Sequence, residues 1–254
     1  MGVSGMSKFE TFAALHVPGK PLILFNVWDA GSAKVAERSG AKAIATGSAS
    51  VATAHGLSDA EALPIELALA NAERIAAAVD LPVSIDFEGG YAVEEEALAA
   101  NMAALAATGA IGCNFEDQVI GGEGTHAIAV QAKRVAAARR GAGADFFLNA
   151  RTDIFLQARP DTHDQAKADA AIERAHAYAE AGASGFFVPG LADLDLLAKV
   201  CAASPLPVNF MAFPGAPDAS AVARAGIARI SHGPFPHMLA LRAFEDAARA
   251  AFEG

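Results

Sequence analysis

Eight times in this 254-residue chain, a short run of β-branched or aromatic residues is followed by a longer alanine-rich stretch with apolar residues at three- and four-residue spacing. The strand-like runs are 22–27, 43–46, 83–87, 112–115, 146–150, 185–188, 208–211 and 228–231. The helix-like stretches are 32–39, 60–79, 94–107, 127–140, 165–180, 193–202, 219–225 and 237–252. Such alternation builds parallel sheets, and eight units in roughly 250 residues match an α/β chain closed into a (β/α)8 TIM barrel. An open doubly wound sheet is the runner-up. It is disfavoured because no G-x-G-x-x-G follows the first strand, where the chain reads Asn26-Val27-Trp28-Asp29-Ala30-Gly31-Ser32. Gly40, Gly109, Gly182 and Gly226 each close an alanine-rich stretch ahead of a strand, and Pro82 and Pro207 stop helices before the third and seventh strands. No linker or low-complexity tract interrupts the pattern, so residues 1–254 read as one barrel domain. A short helix over 9–16 precedes the barrel and is placed over its N-terminal mouth.

Composition removes several function classes. The chain is 53% hydrophobic with mean hydropathy +0.29, which excludes a disordered protein. A net charge of −10 argues against a nucleic-acid partner and restricts anion binding to a focused site. None of the apolar runs has the uninterrupted length of a membrane span, and residues 1–8 lack the apolar run of a secretory leader. The two cysteines, Cys113 and Cys201, form neither a CxxC nor a disulfide framework, so a reducing cytoplasm is expected. Cys113 alternates with Asn114 and should face the helices as a core residue.

In a barrel, chemistry collects at the C-terminal strand ends. The third strand ends Ser84-Ile85-Asp86-Phe87-Glu88-Gly89-Gly90-Tyr91, where the two-residue period puts Asp86 and Glu88 on one face. The fourth ends Asn114-Phe115-Glu116-Asp117, with Asn114 and Glu116 inward, and the fifth ends Asn149-Ala150-Arg151-Thr152-Asp153, with Asn149 and Arg151 inward. Three carboxylates aimed into one mouth repel unless a cation joins them, and a hard, oxygen-rich, water-mediated shell is the environment Mg²⁺ uses. A guanidinium there can grip a substrate carboxylate in a fork. After the second strand, the small residues of Thr46-Gly47-Ser48-Ala49-Ser50 let backbone N–H groups approach an anion. Taken singly, Asp59 reads as an N-cap of the helix at 60–79, Arg151 as an internal ion pair, Asp117 as a cap or a solvated charge and Asp153 as a brace for Arg151. Taken together, charged groups at three successive strand ends point to a metal and anion site, because burying them unused is costly.

At these residues the sequence resembles the isocitrate lyase/phosphoenolpyruvate mutase superfamily. The most specific matches are the Ser84–Tyr91 segment and Gly112-Cys113-Asn114-Phe115-Glu116-Asp117-Gln118. The family's usual Asp-x-Asp-x-Gly-Tyr-Gly is altered here, with Glu88 at the second Asp. The resemblance implies Asp86 as the direct Mg²⁺ ligand (Mn²⁺ substituting), with Asp59, Glu88 and Glu116 acting through water. It also implies a substrate carboxylate held by the backbone of Thr46, Gly47 and Ser48 and by Arg151, with Trp28 nearby. Homodimers or homotetramers that exchange the C-terminal helix between subunits are expected as well.

One departure bears on the reaction. Family lyases carry a Lys-Lys-Cys-Gly-His type motif on the loop after the fourth strand, and phosphonomutases carry Lys and Asn. Here the loop reads Val119-Ile120-Gly121-Gly122-Glu123-Gly124-Thr125-His126, with glycines suited to a lid and only Glu123 and His126 able to move protons. The resemblance therefore implies a Mg²⁺-dependent lyase or decarboxylase that forms a metal-stabilised enolate from a small 2-oxo or 2-hydroxy carboxylate. Arg151, Glu116 and His126 are its candidate catalytic residues. A phosphonomutase and a non-catalytic 2-oxo-acid binder are the alternatives.

Overall fold

The computed structural model describes residues 5–253; Met1–Ser4, half of the segment read above for a leader, and Gly254 lie outside it. Eight parallel strands run β1 (Leu22–Leu24), β2 (Ile44–Ala45), β3 (Val83–Asp86), β4 (Gly112–Glu116), β5 (Phe147–Arg151), β6 (Gly185–Phe187), β7 (Val208–Met211) and β8 (Arg229–Ser231). Their order is β1-β8-β7-β6-β5-β4-β3-β2, and a parallel bridge between Val27 and Thr46 joins the two ends into a (β/α)8 barrel. The helices are α1 (Lys8–Ala14), α2 (Ala30–Arg38), α3 (Ser48–Ala54), α4 (Ile65–Ala78), α5 (Glu95–Ala107), α6 (Ile128–Ala142), α7 (Gln165–Glu180), α8 (Leu194–Ala203), α9 (Ala219–Arg224) and α10 (Phe235–Glu253).

The two-residue strand period sorts the barrel into two cores. Val83, Ile85, Cys113, Phe115, Leu148, Ala150, Phe186, Phe210 and Ile230 are buried together with helix residues such as Leu98, Met102 and Tyr178. Cys113 lies among them, as its alternation with Asn114 required, and burial pushes its thiol well up from its usual value. Inside the barrel, Leu22, Leu24, Ala45 and Phe147 pack on Phe12 of α1, whose ring meets Phe147 edge-on at 5.2 Å. The N-terminal helix is fixed by a capping box between Ser7 and Glu10 and closes the bottom of the barrel. Above this plug the inward residues turn polar, with Asn114, Asn149, Asn209, Arg229 and Ser231 all buried.

Several local expectations are corrected. A helix at 48–54 begins directly after Gly47, where a loop was expected; its Ala-Ser-Val-Ala run is too short for periodicity to reveal. The helix expected at 60–79 starts only at Ile65, with Pro64 at its N-cap, so Asp59 caps nothing. Proline fixes the entry φ, and its carbonyl accepts the first helical N–H groups, those of Leu67 and Ala68. Strand β3 ends at Asp86, and Glu88 takes a left-handed φ of 50°, so a turn rather than strand alternation aims it. At the other end of the chain, Gly233 (φ 53°) turns straight into α10, and Pro236 sits in its first turn, where no N–H is needed.

Helix α10 does not lie on its own barrel. Pro236 and His237 are its buried residues, whereas Leu239, Phe244 and Phe252 are 64, 75 and 88% exposed. Beside its start, an apolar groove of about 1200 Å³ runs over β1 and α2, leaving Ile23, Phe25 and Val35 exposed.

Candidate active site

Asp86 is the centre of the barrel mouth. Its backbone N–H donates to Thr46 Oγ1 at 2.8 Å, and its Oδ2 accepts from both the N–H and the hydroxyl of Ser48, each at 3.1 Å. Its Oδ1 accepts from Asn114 Nδ2 at 3.3 Å. The turn read as an anion cradle is thus brought against the residue read as the metal ligand. Asn26, after β1, ties three loops together here: Nδ2 donates to Thr46 O at 2.7 Å, and Oδ1 accepts from the N–H groups of His232 and Gly233 at 2.7 and 3.0 Å. Trp28 stands beside this junction, its ring 4.7 Å from that of His237.

Two strained turns place the next carboxylates. Ala60, Glu61, Glu88 and Tyr91 are the described non-glycine residues with left-handed φ, and all four lie in the Asp59–Glu61 and Glu88–Tyr91 turns. The turns clasp each other: the Glu61 N–H donates to Glu88 Oε2, and Glu61 Oε1 accepts from the Tyr91 N–H at 2.8 Å. Gly90 takes a left-handed φ of 80°, which disfavours a side chain, and a Cβ there would crowd the buried Leu98 Cδ1 at 2.4 Å and Phe115 at 3.1 Å. Such strain persists only where the surroundings enforce it, and here it brings Asp59 and Glu88 toward Asp86. Burial pushes the Glu88 carboxyl up to about 8, with Asp59 and Asp86 adding repulsion. Asp59 is raised by burial and then by Asp86.

Across the mouth, Glu116 and Arg151 are direct register partners on β4 and β5. Arg151 Nη1 lies 2.8 Å from Glu116 Oε2, and its Nε donates to Asp153 Oδ1 at 2.7 Å. Burial works against the Arg151 cation, but Asp153 and Glu116 outweigh it and hold the guanidinium firmly protonated. Burial raises Glu116 well above the usual carboxylate range, and Arg151 offsets part of that. The expected brace between Asp153 and Arg151 is present.

Asp117 neither caps nor is solvated. It is fully buried, paired with Arg174 at 3.0 Å and accepting from Tyr178 OH at 2.8 Å and from the Asp153 N–H at 3.0 Å. Arg174 also donates to His126 O and Thr125 Oγ1, and Gln118 bridges Thr125, so the glycine-rich loop is pinned at both ends. His126 lies at that pinned base. Its charged neighbours are Arg134, Asp117 and Arg174, and burial, with Arg134 adding to it, lowers its pKa from the ordinary value.

The structure supports a cation at this mouth on two grounds. Asp86 lies within Coulombic reach of Asp59, Glu88 and Glu116 and raises the cost of ionising all three. A cavity of about 20 Å³, room for one water-sized species, is bounded by Thr46, Ser48, Asp86, Glu88 and Tyr91 and by apolar residues such as Val51, Leu63 and Ile85. Among the described residues no three His, Cys, Asp or Glu side chains are close enough to enclose an ion unaided. A hard cation such as Mg²⁺ at this mouth would therefore take most of its ligands from water rather than from a closed protein cage.

A profile of the phosphoenolpyruvate phosphomutase family matches residues 12–252. The chain belongs to this family. A solved structure from Burkholderia cenocepacia J2315, provisionally assigned as a phosphonomutase, superposes with a TM-score of 0.93 at 46% identity, covering 96% of this chain and 98% of the other. The 2-methylisocitrate lyase of Escherichia coli is 29% identical over 214 residues, 77% of this chain and 70% of that protein. Phosphonopyruvate hydrolase, solved with oxalate and Mg²⁺, shares the fold with a TM-score of 0.85 at 21% identity, covering 98 and 88% of the two chains. Members of this enzyme superfamily include lyases, phosphonomutases and hydrolases.

Four residues of this site escaped the sequence reading. Glu61 lies in an irregular turn, and Asn26 acts only through loops distant in sequence. Arg174 meets Asp117 from a helix 57 residues away. Arg229 left a readable signal: a charged residue at an inward position of a strand, two before Ser231.

Proposed function

We propose that this protein is a Mg²⁺-dependent lyase or decarboxylase acting on a small 2-oxo or 2-hydroxy carboxylate. The observation that carries this reading is the Arg151 guanidinium, held between Glu116 and Asp153 and within Coulombic reach of Asp86, on which the Ser48 end of the Thr46–Ser48 turn also converges. Arg151 Nη2 is left to donate to one end of a substrate carboxylate, and the Thr46–Ser48 turn would take the other by exchanging the bond that Ser48 N–H makes to Asp86 or that Gly47 N–H makes to Val27 O. Bound Mg²⁺ would neutralise charge developing on the substrate's 2-oxygen, as a Lewis acid does. Glu116 and Asp153 keep the Arg151 fork fixed, so the substrate's reacting bond is oriented without reorganisation of the site. His126 stands among Arg134, Arg174 and Asp117, and the lowering of its pKa by burial favours water as the source of the final proton.

The phosphonomutase reading draws support from the Burkholderia neighbour at 46% identity. The 119–126 loop counts against it, because it brings no lysine to a phosphoryl group. Turnover of a panel of 2-oxo and 2-hydroxy acids, with and without Mg²⁺, tests the lyase reading. Phosphonate rearrangement followed by ³¹P spectroscopy, with no cleavage of any acid on the panel, would replace it with the mutase.

A further inference from the structure

Arg229 is among the largest fully buried side chains of the described residues. It points inward from β8 into the polar layer directly beneath the mouth. Its Nε donates to Ser231 Oγ at 3.2 Å and its Nη2 to Asn114 Oδ1 at 3.1 Å, while Nη1 has no hydrogen-bond partner among the described residues. None of these contacts is a carboxylate, although a buried cation is costly unless an anion compensates it.

The compensating anion is reached through Asn114. Asn114 Oδ1 accepts from both Arg229 and Asn149, at 3.1 and 2.8 Å, so its amide can be oriented in only one way, with Nδ2 toward Asp86 Oδ1. The order is cation, amide oxygen, amide nitrogen, carboxylate, with the amide dipole aligned to both charges. Asp86 is the foremost group acting to retain the Arg229 charge against burial, which lowers its pKa to about 10 and leaves it cationic at neutral pH.

We propose that Arg229 is a positioning residue and built-in counter-cation of the metal site, which holds Asp86 through Asn114 and sets how tightly that site takes a divalent ion. The proposal rests on the metal reading above. A fixed positive charge beneath Asp86 orders the acidic mouth in the metal-free protein and opposes a second cation there. Removing that charge should therefore strengthen metal binding, the opposite of what structural damage at a buried position produces.

The test is Mn²⁺ binding, with no other ligand, to wild type, Arg229→Met, Arg229→Gln and Arg229→Lys, read by calorimetry and by the EPR signal of free Mn²⁺. Arg229→Gln keeps a donor for Asn114 and decides the question where Arg229→Met does not fold. The expected result is a Kd about tenfold lower for the neutral variants, the scale of one buried charge's influence, and a Kd within threefold of wild type for Arg229→Lys. Neutral variants with unchanged or weakened Mn²⁺ affinity overturn the proposal, as does an Arg229→Lys that tightens like Arg229→Met. Wild-type protein that binds no Mn²⁺ overturns the metal reading itself, and this inference with it. Normal wild-type binding with unmoved neutral variants overturns the role of Arg229 alone.

Discussion

Nη1 of Arg151 lies 2.8 Å from Oε2 of Glu116, and the two residues face each other across the β4–β5 register. The pair is nearly buried, at 13 and 6% side-chain exposure, and Asp153 takes a second edge of the same guanidinium. Buried ion pairs seldom add much stability, because desolvation offsets the attraction. What this one secures is geometry: a planar fork with one edge left for a ligand.

Arg151→Lys should therefore weaken carboxylate binding rather than collapse the fold. A lysine cannot serve Glu116, Asp153 and a ligand at once, and the expected loss is about 1.5–3 kcal/mol, the scale of a hydrogen bond to a charged group. Calorimetry with oxalate or pyruvate in saturating Mg²⁺ checks this. Equal affinities for the two proteins would remove Arg151 from the ligand site.

Asp86→Ala should abolish Mg²⁺ binding and turnover while the barrel stays folded. The substitution deletes the carboxylate on which Ser48 and Asn114 converge, and it also relieves repulsion with Asp59 and Glu88. Thermal melts make the comparison direct, because a ligand that binds only the folded state raises its Tm. Mg²⁺ should raise the wild-type Tm and leave that of Asp86→Ala unmoved.

Glu88 predicts a pH dependence with a definite sign. Its carboxyl is raised from 4.5 to about 8 by burial and by Asp59, so between those values the metal-free folded protein binds more protons than the unfolded chain. Stability from this group is complete below pH 4.5 and is lost as pH rises through about 8, by an order of a few kcal/mol. In EDTA, wild type should lose Tm relative to Glu88→Gln across that window, and excess Mg²⁺ should restore it. Parallel Tm profiles for the two proteins would contradict the assignment.

What the sequence could and could not reveal follows from how each residue is placed. Asp86, Glu116 and Arg151 sit at strand ends, where two-residue alternation alone decides which side chains enter the barrel, and all three do. Asp59 was named as a ligand through the family resemblance and Glu88 by an alternation that ends one turn too early, so the route that brings them in was not legible. Their turns need left-handed backbone at Ala60, Glu61, Glu88 and Tyr91, and no periodic pattern encodes that. The Arg174–Asp117 pair joins a helix to a strand end 57 residues apart, a contact that exists only once the barrel closes. Arg229 obeyed the same alternation as Arg151, yet its signal was passed over because Ala228-Arg229-Ile230-Ser231 lacks an acidic neighbour to suggest a site.

The last expectation concerns assembly. Helix α10 carries Leu239, Leu241, Phe244 and Phe252, between 47 and 88% exposed, while the groove over β1 and α2 leaves Ile23, Phe25 and Val35 uncovered. An eighth helix that served its own barrel would cover that outer face; this one leaves it after His237. Two apolar surfaces of this size on one chain are unusual for a monomer, and a second copy supplies each with the complement it lacks. We therefore expect a homodimer or homotetramer in which α10 packs on a neighbouring barrel. Light scattering at micromolar concentration should give a mass of at least twice 25.9 kDa. Phe244→Asp, at a position 75% exposed in the single chain, should leave the barrel folded but shift the mass toward the monomer. A stable wild-type monomer would refute the assembly. A Phe244→Asp protein that still assembles fully would leave the oligomer standing and take α10 out of its interface.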